Sequence, residues 1–300
     1  MQSDDFAGLR QAFLLGHFGR VSREATALSD VAPEERIALR VFCIRAQLAQ
    51  AATTEQYQMV FASVANDAPP ALQCLKMLAL ARARNDPAMH SQMLAQLQNI
   101  VESQEESEQF LLCAALTLRE LGDLKTSLRL LSKCKSASAL ALRTQFLLQL
   151  RRVDLAKAIL KELQKIDEDD AATVLASVWI ATMTESEQNL EEALSNLRLL
   201  LESYGPSSTL LQLLACVHMR LAKYQDAVRY LKDACELRQE EGLPIVTNEA
   251  ASNAFVCLRH APDNASELPP ALLEAAKTSE AARVHAAALD RFDAAAVRVN

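Results

Sequence analysis

The sequence predicts an all-α protein, built as a solenoid of helical hairpins. Apolar residues recur at the i, i+3, i+4, i+7 spacing of an amphipathic helix, and no segment alternates convincingly with the period of two that a strand would show. Half of the 300 residues are hydrophobic, but only 5% are aromatic and only six are glycine. The hydrophobic half is mostly Leu and Ala, which favour helices, so the composition agrees with the periodicity.

The prolines separate the predicted helices. Proline lacks the amide hydrogen that a helix interior needs, and it therefore collects at helix starts and in connections. No proline interrupts a strongly periodic apolar segment. The nine stand at Pro33, Pro69, Pro70, Pro87, Pro206, Pro244, Pro262, Pro269 and Pro270.

The helices are predicted to occur in pairs, and the second helix of each pair carries a recurring pattern. It follows a short polar joint, such as Leu121-Gly122-Asp123, and has a small residue with a large apolar residue four positions later. The pairs of residues are Ser127/Leu131, Ala156/Leu160, Ala193/Leu197 and Ala227/Leu231. The small residues are 29, 37 and 34 positions apart, which straddles the 34-residue period of tetratricopeptide (TPR) repeats.

The repeats also predict how the chain is organised. The most regular unit runs from Ser208 to Glu241, and the unit that begins at Glu108 is similar. Each pair has one face that it cannot bury alone, so neighbouring pairs must stack. We expect a TPR-like α-solenoid over residues 1–270 and an Ala-rich helical cap, continuous with it, over residues 271–300. The apolar residues expected to close the stack there are Leu289, Phe292 and Val297.

Charge and cysteine usage narrow the function classes. The net charge is −7, and the charged residues are interspersed without the basic stripe that nucleic-acid binders show. The seven cysteines stand singly, and an odd number without paired spacing favours reduced thiols in a cytosolic protein. No run approaches the ~18 apolar residues that span a bilayer, and residues 1–13 lack the layout of a signal peptide.

Few residues could carry chemistry, and each has a simpler structural explanation. The acidic run at residues 167–170 lacks the Gly and the terminal Glu of a calcium loop, and a helix-capping connection explains it better. His218 lies two residues after Cys216, the wrong spacing for both to face one metal ion, and is expected to pack against the second helix of its pair. Trp179 is expected in the core, although a large aromatic can also anchor an interface. We predict no catalytic, cofactor or metal site.

A series of short segments, in a fixed order along the chain, carries a resemblance to a known family. The segments are Val41-Phe42 with Arg45 to Gln50, Pro70 to Gln73 with Lys76-Met77, Asp154 to Lys157 with Lys161 to Leu163, Ile166 to Asp169, Trp179, Pro206 to Leu211, Ala215 to Met219 and Asp290 to Asp293. In this order, from about Phe6 to Val299, they resemble the epsilon-subunit family of the coatomer, the coat of COPI vesicles. The Ala-rich stretch after Ala271 and the weak first repeat depart from the family pattern, and they leave the C-terminal contacts open.

The resemblance implies a structural coat subunit rather than an enzyme. Its partner would be the C-terminal domain of the alpha subunit, around part of which the family's repeats curl. Its role would be to support the retrieval of cargo from the Golgi to the endoplasmic reticulum. Membrane contact would be indirect, through the assembled coat, and neither a nucleic acid nor a small-molecule substrate would be needed.

The partner is predicted to bind the concave side of the stack, which the first helices of the pairs line at positions 2, 5, 9 and 12. The residues at these positions are Gln109, Leu112, Leu116, Arg119, Ala141, Gln145, Leu148, Gln212, Cys216 and Met219. This lining is largely neutral with several apolar residues, and an apolar groove left open to water would be an association liability. A register error of a residue or two would instead make its leucines part of the core.

The alternative is a TPR-type cytosolic adaptor, such as a co-chaperone, that holds the terminal carboxylate of another protein. A carboxylate clamp needs positive donors, whereas the corresponding groove positions are neutral: Gln212 and Cys216, Leu112 and Leu116, Ala141 and Gln145. An enzyme on a helical scaffold would need a convergent set of polar groups, and the sequence offers none.

Overall fold

The computed structural model describes residues 2–28, 32–84, 86–103, 107–184 and 186–299, with backbone alone at residues 2–5, 33–34, 103 and 292–299. These residues form seventeen α-helices and no strand. The prediction of an all-α protein is confirmed.

The helices follow one another with short connections. They are α1 (Gln2–Leu14), α2 (Phe18–Ala27), α3 (Pro33–Gln50), α4 (Thr54–Ser63), α5 (Pro70–Ala83), α6 (Pro87–Ser103), α7 (Glu108–Glu120), α8 (Leu124–Leu131), α9 (Ala137–Gln149), α10 (Val153–Ile166), α11 (Ala171–Thr182), α12 (Glu187–Tyr204), α13 (Ser208–Arg220), α14 (Tyr224–Glu240), α15 (Asn248–His260), α16 (Pro270–Lys277) and α17 (Glu280–Val299). A 3-10 helix, Pro262–Glu267, joins α15 to α16.

The chain divides into two compact units, Met1–Met183 and Thr184–Asn300. In the first unit α7 packs against α8 and α9 against α10, and in the second α13 packs against α14. The pairs α7 with α8 and α13 with α14 are those that the sequence pattern placed from Glu108 and from Ser208, and α10 carries the pattern residues Ala156 and Leu160. The partition into a solenoid over residues 1–270 and a cap over residues 271–300 stays a prediction.

The small and large residues of the repeat pattern lie where close packing needs them. All four small residues are buried, and so are their large partners except Leu160, which is partly buried. The buried set is Ser127, Leu131, Ala156, Ala193, Leu197, Ala227 and Leu231. The pattern therefore identified buried positions on α8, α10, α12 and α14.

The joints inside the pairs share one backbone conformation. Gly122, Arg151 and Ala222 have φ angles of 91°, 59° and 57°, in the left-handed region. This conformation ends a helix by turning the chain so that a later amide reaches back to a helix carbonyl. The bonds run from Asp123 N to Leu118 O, from Arg152 N to Leu147 O and from Lys223 N to His218 O, each at 2.9 Å. Only the first joint has the glycine that this conformation favours.

The acidic run at residues 167–170 is a helix-capping connection, as predicted. Asp170 precedes α11, and its Oδ1 accepts a hydrogen bond of 2.8 Å from the backbone amide of Ala172. The Oδ1 of Asp167 accepts another, of 3.0 Å, from the amide of Asp169. Carboxylates at a helix start also complement the positive end of its dipole.

The cysteines mostly contribute to packing. All seven lie in the described part of the chain and are free thiols. Five are buried: Cys74, Cys113, Cys134, Cys235 and Cys257. Burial raises the pKa of Cys113 to about 11 and that of Cys257 to about 12.

The C-terminal helix differs from expectation in one respect. Leu289, which was expected to help close the stack, is 50% exposed. The helix instead contacts α15, where the rings of His285 and Phe255 meet edge to face with centroids 5.7 Å apart. The side chains of Phe292 and Val297 lie outside the described residues.

Candidate partner-binding face

The face predicted to bind a partner is built in the first unit on α7 and α9. At one end of the two helices, the carboxylate of Glu108 accepts a hydrogen bond of 2.9 Å from the backbone amide of Ser136. At the other end, Arg119 Nε donates to Gln149 Oε1 at 3.3 Å. Because the helices are tied at both ends, the predicted positions of α7 and α9 are held side by side.

The predicted lining of this face is less exposed than the sequence suggested. Leu112, Ala141 and Leu148 expose only 9%, 1% and 7% of their surface, so the expectation of solvent-exposed apolar residues is wrong for these three. They belong to the core of the first unit. The other predicted positions of this unit are partly buried: Gln109, Leu116, Arg119 and Gln145. That a partner contacts any of them stays a prediction.

The N-terminal helix packs against the cluster that contains two of these three residues. Helix α1 contacts α11, and Leu14 at its end packs against the hydrophobic cluster that contains Ala141 and Leu148. The chain therefore packs its own N-terminal helix against the core of this region. The pattern within one repeat carries no signal for this contact, because it joins helices more than a hundred residues apart.

An open cavity of about 540 Å³ lies beside the covered region. It is lined by Gln145, Leu148, Gln149, Arg151, Trp179, Thr182 and Met183. Trp179 is only partly buried: it packs against the core, as predicted, and also lines the cavity. Apolar side chains beside carboxamides and a guanidinium suit a polypeptide, whose side chains need apolar contact and whose backbone needs hydrogen-bond partners.

The sequence identified this cavity incompletely. Gln145 and Leu148 were among the predicted positions, whereas Arg151, Thr182 and Met183 were not. Their convergence depends on how the C-terminal ends of α9 and α11 pack. A signal was present in the sequence, since a Trp and a Met four residues apart share one helix face.

The predicted positions of the second unit lie on α13. Gln212, Cys216 and Met219 are all partly buried. Cys216 Sγ is 3.5 Å from the side-chain amide of Asn253 on α15, which donates to it. Burial raises the pKa of Cys216, so its thiol is a packing group rather than a nucleophile.

His218 packs against the second helix of its pair, as predicted. Its ring lies 5.1 Å from that of Tyr230 on α14, centroid to centroid, and its Nδ1 is 3.8 Å from a carboxylate oxygen of Asp226. Burial lowers its pKa, and the nearby Asp226 offsets part of this effect. Among the residues that the structure describes, no three His, Cys, Asp or Glu side chains converge closely enough to hold a metal ion.

Comparison with known proteins places this arrangement in a family. The family described as "Coatomer epsilon subunit" matches residues 2–295, which is nearly the whole chain. The chain belongs to the coatomer epsilon subunit family. The coatomer subunit epsilon of Caenorhabditis elegans is 25% identical over 254 residues, 83% of this chain and 84% of that protein. The coatomer subunit epsilon-2 of Arabidopsis thaliana is 23% identical over 259 residues, 86% of this chain and 84% of that protein.

A solved structure confirms the repeat type. The chain is similar to a TPR-repeat solenoid in the crystal structure of the APC/C hetero-tetramer Cut9-Hcn1, with a TM-score of 0.52 and 11% identity. The match covers 89% of this chain and 54% of that one, so the chain spans about half the length of that structure. At this identity the likeness concerns the fold alone.

Family membership carries a coarse function. Epsilon subunits of the coatomer are structural components of the COPI vesicle coat, a hetero-oligomeric complex that assembles on membranes from the cytosol. Within the residues described, none of the helices of this chain is long and apolar enough to cross a membrane.

Proposed function

We propose that the chain is a non-catalytic subunit of the COPI coat that binds and stabilises the C-terminal domain of the alpha subunit. In this role it supports retrograde transport from the Golgi to the endoplasmic reticulum. It works in the cytoplasm and reaches Golgi and vesicle membranes only through the assembled coat. The observation that supports partner binding is the open cavity around Trp179 on the predicted face of the first unit.

The cavity has the composition of a protein interface centre. Large aromatic side chains that become fully desolvated on binding contribute most of the affinity of an interface. Trp179 and Met183 supply apolar area, while Gln145 and Gln149 supply carboxamides that pair with the backbone of a bound segment. The cavity therefore fits an apolar side chain of the partner together with a stretch of its backbone.

The experiment uses calorimetry to measure binding of the purified C-terminal domain from the alpha protein of the coat. The wild-type chain is expected to bind one-to-one. Trp179→Ala is expected to weaken binding at least tenfold, because truncating such an anchor costs roughly 2 kcal/mol or more. Leu155→Ala, on α10, is the matched control, since this leucine is 41% exposed and does not line the cavity. Circular dichroism confirms that both variants keep their helices.

Two outcomes would overturn parts of this proposal. If the wild-type chain does not bind the domain, the assigned partner is wrong, and a TPR-type adaptor that holds another cytosolic protein becomes the better hypothesis. If the wild-type chain binds and Trp179→Ala binds equally well, the partner is right and the interface lies elsewhere.

A further inference from the structure

The first unit contains a second, smaller cavity, with a volume of about 170 Å³, whose lining is rich in positive charge. Arg10 reaches it from α1 and Arg45 from α3. Its other polar residues are Glu108 and Gln109 from α7, and Ser136 and Ser138 from the start of α9. Phe42 and Leu112 form part of its apolar wall.

Each of the two guanidinium groups at this cavity has a buried nitrogen that makes no hydrogen bond with a described residue. The Nε of Arg10 and the Nε of Arg45 are buried, and neither makes a hydrogen bond with any described residue. Nor does any carboxylate in the described part of the chain form an ion pair with them. A buried charge without a partner is costly, so such groups are normally paired or are reserved for a ligand.

The contacts of Arg45 offset only part of the cost of burying its charge. Its guanidinium carbon lies 4.4 Å from the centroid of the Phe13 ring, which gives a cation–π contact but no hydrogen-bond acceptor for Nε. Burial lowers the pKa of this arginine. A guanidinium stays charged even so, and the group therefore favours an anion at the cavity.

The ends of two helices strengthen the positive field. Gln109 and Ser138 lie in the first turns of α7 and α9, each 13 residues long. The start of a helix carries a partial positive charge and favours anions. Glu108 is the one acidic residue in the lining, and one of its oxygens already accepts the amide of Ser136 at 2.9 Å. Two guanidinium groups and two helix starts outweigh this single carboxylate.

We propose that this cavity binds a small oxyanion, a carboxylate or a phosphate group, held jointly by Arg10 and Arg45. Guanidinium groups recognise both through charged, often paired hydrogen bonds. A cavity of about 170 Å³ has room for a group of this size. The anion is either free phosphate or an acidic side chain of a bound polypeptide. The site can bind the anion whichever polypeptide supplies it, so this inference does not rest on the proposed function.

The test follows the Nε–Hε signals of arginine by nuclear magnetic resonance in the full chain. Sodium phosphate and sodium acetate are titrated separately, and sodium chloride at equal ionic strength gives the baseline. Spectra of Arg10→Gln and Arg45→Gln assign the two signals. Arg129 is the internal control, because it is exposed and lies on α8, away from the cavity.

We expect saturable shifts of the Arg10 and Arg45 signals with at least one anion, while Arg129 follows the chloride baseline. Saturation by acetate alone assigns the site to an acidic side chain, and saturation by phosphate alone assigns it to phosphate. If neither anion gives a saturable shift above the baseline, the proposal is wrong.

Thermal unfolding supplies a second measurement. At ten times the dissociation constant, the bound anion should raise the Tm of the wild-type chain by about 3 °C relative to chloride. Arg129→Gln should show the same increase, whereas Arg10→Gln and Arg45→Gln should lose it. If a cavity variant fails to fold, the wild-type titration still decides. An equal increase in folded variants and wild type would show that the anion acts elsewhere, and would overturn the site.

Discussion

The hydroxyl of Ser127 on α8 donates a hydrogen bond of 2.7 Å to the backbone carbonyl of Ala115 on α7. Ser127 is fully buried, so the bond lies inside the contact between the two helices. The other pairs have alanine at the equivalent position: Ala156, Ala193 and Ala227. Serine is therefore accepted at a position that selects for small size because its hydroxyl has an acceptor within the pair.

Ser127→Ala should lower the free energy of unfolding by roughly 1 kcal/mol, the usual contribution of one such hydrogen bond. Ser127→Leu should lower it by a further 1–3 kcal/mol or so, because the larger side chain forces the helices apart. Urea unfolding followed by circular dichroism measures both. Equal stability of the two variants would show that close approach at this position is unimportant.

Ala222→Gly should stabilise the second unit by roughly 0.5–1 kcal/mol. Ala222 has a φ angle of 57°, and an L-residue with a Cβ is strained in this left-handed conformation, whereas glycine is not. The control is the same substitution inside a helix, Ala158→Gly in α10, which should destabilise by about 1 kcal/mol. The urea midpoints of unfolding measure both changes. A loss of stability in Ala222→Gly would contradict the proposed backbone strain at Ala222.

Leu148→Asp should unfold the first unit rather than only block a partner. Leu148 is 7% exposed, so the variant would lose a core side chain and bury a carboxylate, at a cost of more than about 3 kcal/mol. Leu148→Met is the matched control and should cost less than about 1.5 kcal/mol. Loss of helix signal on heating measures the effect. A Leu148→Asp chain with wild-type Tm would mean that this surface is open in solution.

The stability of the second unit should fall as the pH drops below about 6.5, and His218 should account for part of the fall. Burial lowers the pKa of His218 in the folded state, against a smaller opposing effect of Asp226, while Arg198 and Lys223 lower it further. The unfolded chain therefore binds a proton more readily. The stabilisation is fully present above the unfolded-state pKa and declines as the pH falls towards the folded-state pKa.

Unfolding midpoints of wild type and His218→Phe, measured between pH 5 and 8, test this expectation. Phenylalanine keeps a ring against Tyr230 and removes the titration, so the variant should show a shallower loss of stability in acid. Parallel curves for wild type and His218→Phe would exclude His218 as the source.

Local features of the fold could be predicted from the sequence, and long-range ones could not. The pair of α13 and α14 begins and ends almost where the pattern from Ser208 to Glu241 placed it, because apolar spacing and polar joints act within a few turns. The left-handed conformation at Arg151 could not be predicted, because the residue there is not glycine.

The candidate site shows the same limit more sharply. Leu148 was predicted to line an open groove, but it is buried in the cluster against which Leu14 of α1 packs, and that contact joins distant parts of the sequence. Gln109 and Leu112 of the smaller cavity were among the predicted positions, but Arg10 and Arg45 were missed because they come from α1 and α3, which the repeat pattern does not connect with α7 and α9. Curvature accumulates over successive pairs, and a period of about 34 residues does not specify it.

The contact between α1 and α11 has a consequence for synthesis on the ribosome. Helix α1 is synthesised before the surface that it packs against, which lies in Ala171–Thr182. At a translation rate of about 5–20 residues per second, roughly 10 to 30 s pass before that surface is made. During this interval Leu14 and its neighbours have no partner on α11, and the nascent chain carries an apolar segment that chaperones are suited to bind. The first unit can therefore finish folding only after α11 has been synthesised.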